Sequence, residues 1–420
     1  MLEKIKNFIE TINPDILVQA PSRINLINPL DAVEGDFWMP SVAINGIENP
    51  LSTFVYIKKI NGKSKICNYK IIKTQHTYDF ELECEEYFGK KIEKLSDFKN
   101  SRFKLFYASI YRLFKINNDY KRAFLNQNVE IGIITTIPKQ SGLGGSASII
   151  IAFLYSLVSY FQLKEKHKNH NDVIFPINKD LIAEIATKVE DVDLKITAGY
   201  SDRYIISRGG LCFISYVGKL HHREIGSEPL AVCDRIEELY EIKQLPIIIC
   251  YSGVLHDSGS VHEKLRKLYL EKDELIIKGY SELAEIAWKS RFALMKHDWK
   301  LLGDYFQRNT EIMNKIMFHA GFRHGIGLAN NFLIDLIINE PFVYAVKLTG
   351  AGGGGSVFAL VNPKKIDLVL KKWRESLRDV IKDDDTFKKK FPSYPLKLRK
   401  DLKNAQFYKT VIDMYGVQKL

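Results

Sequence analysis

The segment TTIPKQSGLGGSASIIIAFLYSL, residues 135–157, joins a β-branched run to a long apolar helix through a glycine-rich turn. Gly142, Gly144 and Gly145 remove side-chain bulk where the helix begins, and Ser146 follows them directly. Glycines let backbone N–H groups converge on an anion, and a helix N-terminus adds partial positive charge. The same residues also make an ordinary helix start that Ser146 caps. The segment alone therefore leaves a phosphate-binding loop and a capped helix start open.

Two well-known glycine loops fit this chain poorly. A Walker loop needs a glycine five positions before its Gly-Lys-Ser, and the Gly-Lys-Ser at 62–64 has Ile57 there. The dinucleotide-binding pattern GxGxxG/A is matched by 142–147, with Glu165 about 20 residues further on. However, residues 138–142 separate this loop from its strand, and Glu165 lies in a polar segment. The sequence therefore disfavours both P-loop and hydride-transfer chemistry.

Short apolar strands and amphipathic helices alternate in the first half of the chain, and the complete order is not a strict β-α-β repeat. The expected strands are 15–27, 52–60, 129–137, 245–253, 343–350, 356–361 and one near 406–413. The expected helices are 103–115, 146–161, 179–190, a long helical region from about 260 to 318, 326–338 and 364–380. We interpret residues 205–217 as a strand pair or a turn into a strand. This order predicts an α+β fold rather than a doubly wound one.

Length and charge narrow the class of protein further. A chain of 420 residues suits two domains, and the break in periodicity at HHREIGSEPL divides it into 1–220 and 221–420. The net charge of +11 owes much to the C-terminal segment, including the 383–405 insertion, which we interpret as a solvated basic face. The five scattered cysteines form no CxxC pair and indicate reduced thiols in a cytoplasmic protein.

Three motifs occur in the order typical of one enzyme family. PKQSGLGGSA, 138–147, resembles the pattern P-x3-GLGSSA, with Gly145 at the place of its first serine. APSRINLINPLDAVEGDFWMPSVAI, 20–44, resembles a first motif, and KLTGAGGGGSVFALV, 347–361, resembles a third. The chain thereby resembles the GHMP kinases, the superfamily of galactokinase, homoserine kinase, mevalonate kinase and phosphomevalonate kinase.

Details of the motifs are most similar to the glucuronokinase-like sugar kinases. Asn28-Pro29-Leu30-Asp31 stands where galactokinases carry a glutamate–histidine pair. ITAGYSDRYIISRGGL, 196–211, and SGVLHDSGSVHEKLR, 252–266, also resemble that subgroup. Bacterial sugar and heptose-phosphate kinases share some of these features.

The resemblance implies a two-domain architecture and a set of site residues. The N-terminal domain would be ribosomal S5 domain 2-like and the C-terminal domain ferredoxin-like, with ATP and Mg²⁺ as cofactors. The residues expected at the ATP phosphates are Ser141, Gly142, Leu143, Gly144, Gly145, Ser146, Ala147, Gly352 and Gly353. The residues expected on the sugar side are Asn28, Asp31, Arg203 and Gly350.

The same resemblance implies the catalytic roles. Asp202 would contact the acceptor hydroxyl, as general base or by orienting it, with Arg23 beside it or beside the transferred phosphate. Ser146 and Glu190 would hold Mg²⁺; the competing acids are Glu184, Asp191 and Asp193. From the residues alone, Asp202 reads as a turn aspartate and Glu190 as a solvated helix end.

We therefore interpret the sequence as an ATP-dependent small-molecule kinase acting on a sugar hydroxyl. The first expectation for the acceptor is a uronic acid such as glucuronate, phosphorylated at its 1-hydroxyl, with its carboxylate paired to Arg203 or Arg23. A heptose-phosphate or other sugar kinase is the alternative within the family, and a non-catalytic sugar sensor is the alternative from another class. No membrane partner is expected, and nucleic-acid binding through the basic C-terminal segment is the least favoured alternative. The protein would be a monomer or homodimer.

Overall fold

The computed structural model describes residues 1–27, 33, 37–73, 77–88, 92, 98, 100–162, 178–216, 231–255 and 258–420. The predicted domain boundary at 220/221 lies outside these residues and stays a prediction. Within the described ranges, no helix combines the length and apolarity that crossing a bilayer requires. All five cysteines are free thiols.

Both halves of the described chain contain helices and strands. The helices are α1 Leu2–Ile12, α2 Lys104–Ile116, α3 Asn118–Leu125, α4 Gly145–Gln162, α5 Lys179–Lys188, α6 Ser201–Arg208, α7 Ser258–Leu270, α8 Glu274–Met295, α9 Trp299–His319, α10 Leu328–Asp335, α11 Ile366–Val380, α12 Asp384–Lys390 and α13 Leu396–Asp401. The strands are β1 Ile16–Asn25, β2 Met39–Gly46, β3 Ser52–Lys59, β4 Lys65–Lys73, β5 Tyr78–Tyr87, β6 Val129–Thr135, β7 Leu211–Tyr216, β8 Ala231–Arg235, β9 Ile247–Tyr251, β10 Val343–Thr349, β11 Ser356–Val361, β12 Gln406–Ile412 and β13 Gln418–Lys419. A π-helical turn, Val189–Asp193, follows α5.

The described strands form one extended, mainly antiparallel sheet. Their order is β10-β11-β9-β12-β2-β1-β3-β6-β4-β5, with β7 paired to β2, β8 to β7 and β13 to β1. Only β4 and β6 among the described pairs run parallel. β12 hydrogen-bonds to β9 on one side and to β2 on the other, so a C-terminal strand connects the two halves of the sheet. Helices grouped beside a largely antiparallel sheet are the α+β class, which confirms that prediction.

Local chemistry accounts for several element boundaries. The side chain of Asn178 accepts from the backbone of Asp180 and Leu181 and caps α5. Asp273 and Asp298 cap α8 and α9 in the same way. Each cap satisfies helix N–H groups that have no partner within the helix.

Burial places the apolar helices on the sheet. α4 packs on β1 and β3 with Ile151 and Leu154 fully buried. On another side, α1 covers the strands with Ile5 and Ile9 against Phe54. A further core collects the helices of the second half of the chain around β9, β10 and β11. Burial of apolar surface is the main stabilising contribution to such a fold.

Residues 205–217 were expected to form a strand pair or a turn into a strand, and their first part is instead helical. Ile205 and Ile206 lie in α6, fully buried in the core of the first half. Their β-branched side chains favour strands, but burial of this face outweighs the small propensity difference. Gly209 and Gly210, at φ of 81° and 79°, end the helix and lead into β7.

Candidate active site

Asp202 lies in the first turn of α6 and faces β1. Arg23 donates two hydrogen bonds to its carboxylate, from Nε to Oδ1 and from Nη2 to Oδ2, each at 2.5 Å. Asn25 donates from Nδ2 to Oδ1 of the same carboxylate at 3.0 Å. Arg23 and Asn25 reach one target because alternate residues of a strand share a face. Ser41 of β2 donates to Oδ1 of Asn25 at 2.8 Å, which fixes how that amide is oriented.

This environment keeps the Asp202 carboxyl ionised. Burial alone would raise its pKa, but the charge of Arg23, its two hydrogen bonds, the charge of Arg203 and the Asn25 amide outweigh burial. The pKa of Asp202 is therefore held well below its ordinary value. A bidentate guanidinium–carboxylate pair also fixes the plane of the carboxylate.

A second cluster joins the start of α4 to the π-helical turn. Ser146 Oγ donates to Oε1 of Glu190 at 2.6 Å. The other carboxylate oxygen of Glu190 accepts from Nη2 of Arg203. Nη1 of Arg203 donates to the carbonyl of Gly199 at 2.9 Å and lies 3.8 Å from Oδ2 of Asp202. One buried arginine thus connects the hydroxyl–carboxylate pair with Asp202.

The first glycine loop is fastened to β1 by its carbonyl groups. Nη1 of Arg23 donates to the carbonyl of Gly142 at 2.6 Å, and Ser22 Oγ donates to that of Leu143 at 2.7 Å. Gly144 has φ of 76°, and a Cβ there would lie 3.0 Å from Cγ of Arg23. A side chain at 144 would therefore be strained and would push on the arginine that holds Asp202.

The second glycine loop packs directly on the first. At Gly350, φ is 95° and a Cβ would lie 3.1 Å from the Cα of Gly142. Gly353 donates its N–H to the carbonyl of Ile326 at 2.7 Å, and a Cβ at Gly352 would lie 3.2 Å from the same carbonyl. Gly350 therefore faces the first loop, whereas Gly352 and Gly353 pack on the segment before α10.

Most of these groups line one large cleft of about 1570 Å³. Its walls include Arg23, Asn25, Ser141, Gly142, Gly144, Gly145, Ser146, Ala147, Glu190, Asp202, Arg203 and Gly350. The N-terminal part of α7 contributes Ser258, Gly259 and His262. The Asp202 carboxylate, the Ser146–Glu190 pair and parts of both glycine loops therefore face the same cleft.

Most of the residues singled out from the sequence meet in this cleft. Leu143 is fully buried and contributes its carbonyl to Ser22, while Gly352 and Gly353 are absent from the described lining. Asn28 and Asp31 lie outside the described residues. The competing acids Glu184, Asp191 and Asp193 contact Tyr204, Arg266 and Arg112 respectively. The roles assigned to all of these residues stay predictions.

Sequence reasoning missed Asn25 and Ser41. The signal was present in SRIN, where Arg23 and Asn25 are two residues apart in an expected strand and so share a face. The contact between Ser41 and Asn25 depends on the pairing of β2 with β1, and β2 was not expected.

The donor set fits the two cofactors that the resemblance implies. Mg²⁺ prefers oxygen ligands and retains water, and Ser146 with Glu190 offers two such oxygens beside the glycine loop. No group of three or more His, Cys, Asp or Glu side chains among the described residues could hold a metal by itself, so phosphate and water would complete the shell. Ser141 Oγ is buried and has no hydrogen-bond partner in the described part of the chain. An anion at the start of α4 would satisfy it.

Family models match both halves of the chain. The GHMP kinase N-terminal domain matches residues 105–210, and the GHMP kinase C-terminal domain matches residues 292–379. The chain belongs to the GHMP kinases. The N-terminal match includes the first glycine loop, Glu190 and Asp202, and the C-terminal match includes the second glycine loop.

Curated relatives of this GHMP kinase include enzymes with different acceptors. It is 28% identical over 253 residues to probable glucuronokinase 2 of Arabidopsis thaliana, covering 60% of this chain and 62% of the relative. The match thus spans less than two thirds of that relative. It is 25% identical over 362 residues to mevalonate kinase of Thermococcus sibiricus, covering 84% of this chain and 91% of the relative.

Solved structures confirm the two-domain fold. The phosphomevalonate kinase of Streptococcus pneumoniae, in complex with phosphomevalonate and AMPPNP, matches with a TM-score of 0.59 at 13% identity. The match covers 86% of this GHMP kinase and 97% of that chain. At this identity the likeness shows the shared fold alone.

Proposed function

We propose that this GHMP kinase transfers the γ-phosphoryl group of Mg·ATP to a sugar hydroxyl, with glucuronate and its 1-hydroxyl as the expected acceptor. One observation carries the proposal: Asp202 and the Ser146–Glu190 pair face the same cleft, with the glycine loops packed on each other beside them. Phosphoryl transfer needs a positioned hydroxyl and compensation of phosphate charge, and these groups supply both.

Each group has a defined task in the proposed reaction. Mg·ATP supplies the electrophilic phosphorus and balances part of the phosphate charge. Ser146 and Glu190 would hold the metal, and Ser141 with the backbone of residues 142–146 would bind phosphate oxygens. Asp202 would accept the hydrogen bond of the acceptor hydroxyl and point its oxygen at the γ-phosphorus.

The contacts of Asp202 favour orientation over proton abstraction. Arg23 and Asn25 keep its carboxylate charged, and a carboxylate of lowered pKa is a weak base. In a loose transition state the hydroxyl loses its proton late, so a strong base is not required. We therefore assign Asp202 the task of orienting the hydroxyl.

Support for a uronic acid comes from the glucuronokinase relative and not from the arginines. Arg23 is bound to Asp202, and Arg203 is bound to Glu190. Both guanidinium groups therefore already pair with carboxylates of the protein. An acceptor carboxylate would be bound by other groups of the cleft.

Mevalonate is the second candidate acceptor. It is favoured by one observation, the coverage of 91% of the Thermococcus mevalonate kinase by this chain. Mevalonate also carries a carboxylate and a primary hydroxyl, so the same Asp202 chemistry applies to it.

An ADP-release screen with Mg·ATP tests the proposal. The panel contains glucuronate, galacturonate, neutral hexoses, heptose phosphates, mevalonate and homoserine. We expect turnover with glucuronate and none without an acceptor. Turnover with mevalonate alone would show that the acceptor is mevalonate and not glucuronate. Binding of a sugar without ADP release from any panel member would contradict the proposed kinase function and favour a sensor.

A further inference from the structure

The π-helical turn Val189–Asp193 carries three acids, and each is bound by an arginine from a different helix. The pairs are Glu190 with Arg203 of α6, Asp191 with Arg266 of α7, and Asp193 with Arg112 of α2. A π-helical turn is a rare conformation that occurs often at functional sites. Glu190 belongs to the proposed metal pair, so the other two arginines act on the segment that carries it.

The Arg266–Asp191 pair joins the two halves of the chain beside the cleft. Nη1 of Arg266 donates to Oδ1 of Asp191 at 3.0 Å, and Nη2 donates to the carbonyl of Ala198 at 3.4 Å. Oδ1 of Asp191 also accepts from the N–H of Ala198 at 3.1 Å. Arg266 therefore contacts both ends of residues 191–198, which lie between Glu190 and Asp202 in the sequence.

The face of α7 that bears Arg266 also reaches the cleft. His262 lines the cleft and lies four residues before Arg266, so the two residues share one face of the helix. Ser258 and Gly259 of the first turn line the cleft as well. A displacement of α7 relative to Asp191 would move this wall of the cleft.

The Arg112–Asp193 pair is a matched comparison. It binds the same turn through an arginine fork, at 2.8 and 2.5 Å, with similar side-chain exposure: 17% and 6%, against 16% and 2% for Arg266 and Asp191. Neither arginine itself belongs to the described lining of the cleft. Arg112 lies on α2 in the first half of the chain, however, so its pair with Asp193 does not connect the turn to α7.

We propose that the Arg266–Asp191 pair positions the first turn of α7 against the segment that precedes Asp202, and thereby shapes the acceptor side of the cleft. Arg266 and Asp191 act through their neighbours and are positioning residues. The consequence for the acceptor rests on the proposed kinase function. The position of α7 does not depend on the kinase function, so the experiments can contradict one of these two claims without the other.

Hydrogen exchange of the full-length protein without substrate tests the position of α7. We expect faster exchange of the amides at 258–266 in Arg266→Met and in Asp191→Asn. The double variant should also show faster exchange at 258–266, because it too lacks the Arg266–Asp191 pair. The double variant also leaves no unpaired buried charge, which guards against a mere folding defect. Arg112→Met should leave exchange at 258–266 unchanged.

Kinetics with glucuronate test the consequence. We expect Arg266→Met to raise the KM for glucuronate about tenfold, a typical coupling between residues in contact. The KM for ATP should stay within about twofold of the wild-type value, because the ATP groups lie on α4 and the glycine loops. Unchanged exchange at 258–266, or an equal change in Arg112→Met, would overturn the proposal. Faster exchange with no turnover of glucuronate would support the position of α7 and contradict the proposed acceptor.

Discussion

Asp202 shows how one residue can be kept charged in the wall of a cleft. Its two oxygens face the fork of Arg23, and the Asn25 amide adds a third donor. The resulting low pKa ties the stability of the protein to pH in a defined direction. A carboxyl group whose pKa is lowered by folding stabilises the protein at pH values above its pKa in the unfolded chain. That stabilisation is lost as the pH falls toward the lower pKa of the folded protein.

The unfolding free energies of the wild type and Asp202→Asn should therefore differ by an amount that depends on pH. The pKa of an aspartate in the unfolded chain is 3.8. The difference in unfolding free energy should therefore be constant from pH 8 to about 5 and shrink as the pH falls below about 4. Urea denaturation at several pH values measures the gap. As a control, Asp379→Asn changes an exposed carboxyl and should stay within about 0.5 kcal/mol of wild type. A gap that closes already near pH 6 would contradict the arginine-held carboxylate.

At this scale, resemblance to a family located residues that reasoning from residue type could not. The pairs Arg23–Asp202 and Ser146–Glu190 meet in space although each is far apart in sequence. The partners of Arg203 could not be predicted, because they depend on how α6 packs beside the π-helical turn. Arg203 was expected on the sugar side, holding a carboxylate or phosphate or steadying Asp202, and its guanidinium contacts Glu190. Its role toward a substrate stays a prediction.

Among the elements, the glycine loop at the start of α4 separates two kinds of glycine. Gly144 has φ of 76° and would place a Cβ close to Arg23 and Ile206. Gly145 is the first residue of α4, and a Cβ there would meet only ordinary contacts, 3.5 Å from Cγ2 of Ile137. Gly145, which stands at the place of the motif's first serine, is thus the glycine whose backbone conformation tolerates a side chain.

Alanine at these two neighbouring positions should have opposite effects on stability. Gly144→Ala should lose about 1–2 kcal/mol, because an L-residue is disfavoured at this φ. Gly145→Ala should gain about 0.4–1 kcal/mol, because it lowers the conformational entropy of the unfolded chain. Chemical denaturation of both variants checks this, and equal effects at the two positions would contradict the loop conformation.

Elements with strong periodicity were predicted closely, and polar strands were not. The expected strands at 52–60, 129–137 and 356–361 agree with β3, β6 and β11 to within two residues. β4 and β5 were missed because KICNYKIIK and YDFELECEEY mix charges with apolar residues in a largely exposed hairpin. α6 was misassigned because tertiary burial outweighs the strand preference of its isoleucines.

In the whole molecule, β12 is the strand that makes one sheet of two halves. It pairs with β9 of the second half and β2 of the first, and β13 continues to β1. No periodicity in a 7-residue strand indicates which partners it will find, so sequence reasoning located the strand but not its role. We expect this pairing to couple the unfolding of the two halves.

Calorimetry should therefore show a single unfolding transition for the wild type. Ile412→Ala in β12, where Ile412 is 8% exposed, should lower the free energy of unfolding by about 2–5 kcal/mol without splitting the transition. The adjacent Val411 is 39% exposed, and Val411→Ala should change it by no more than about 0.5 kcal/mol. Two separate transitions in the wild type would contradict the coupling.

The central claim is that the cleft transfers a phosphoryl group to a hydroxyl that Asp202 orients. Phosphorus NMR of a mixture of the protein, Mg·ATP and glucuronate tests it most directly, because it identifies the product. We expect a new sugar-phosphate resonance that grows in step with ADP, at a rate lowered about 10³-fold or more in Asp202→Asn. Formation of inorganic phosphate without a sugar phosphate, or an undiminished rate in Asp202→Asn, would contradict the claim.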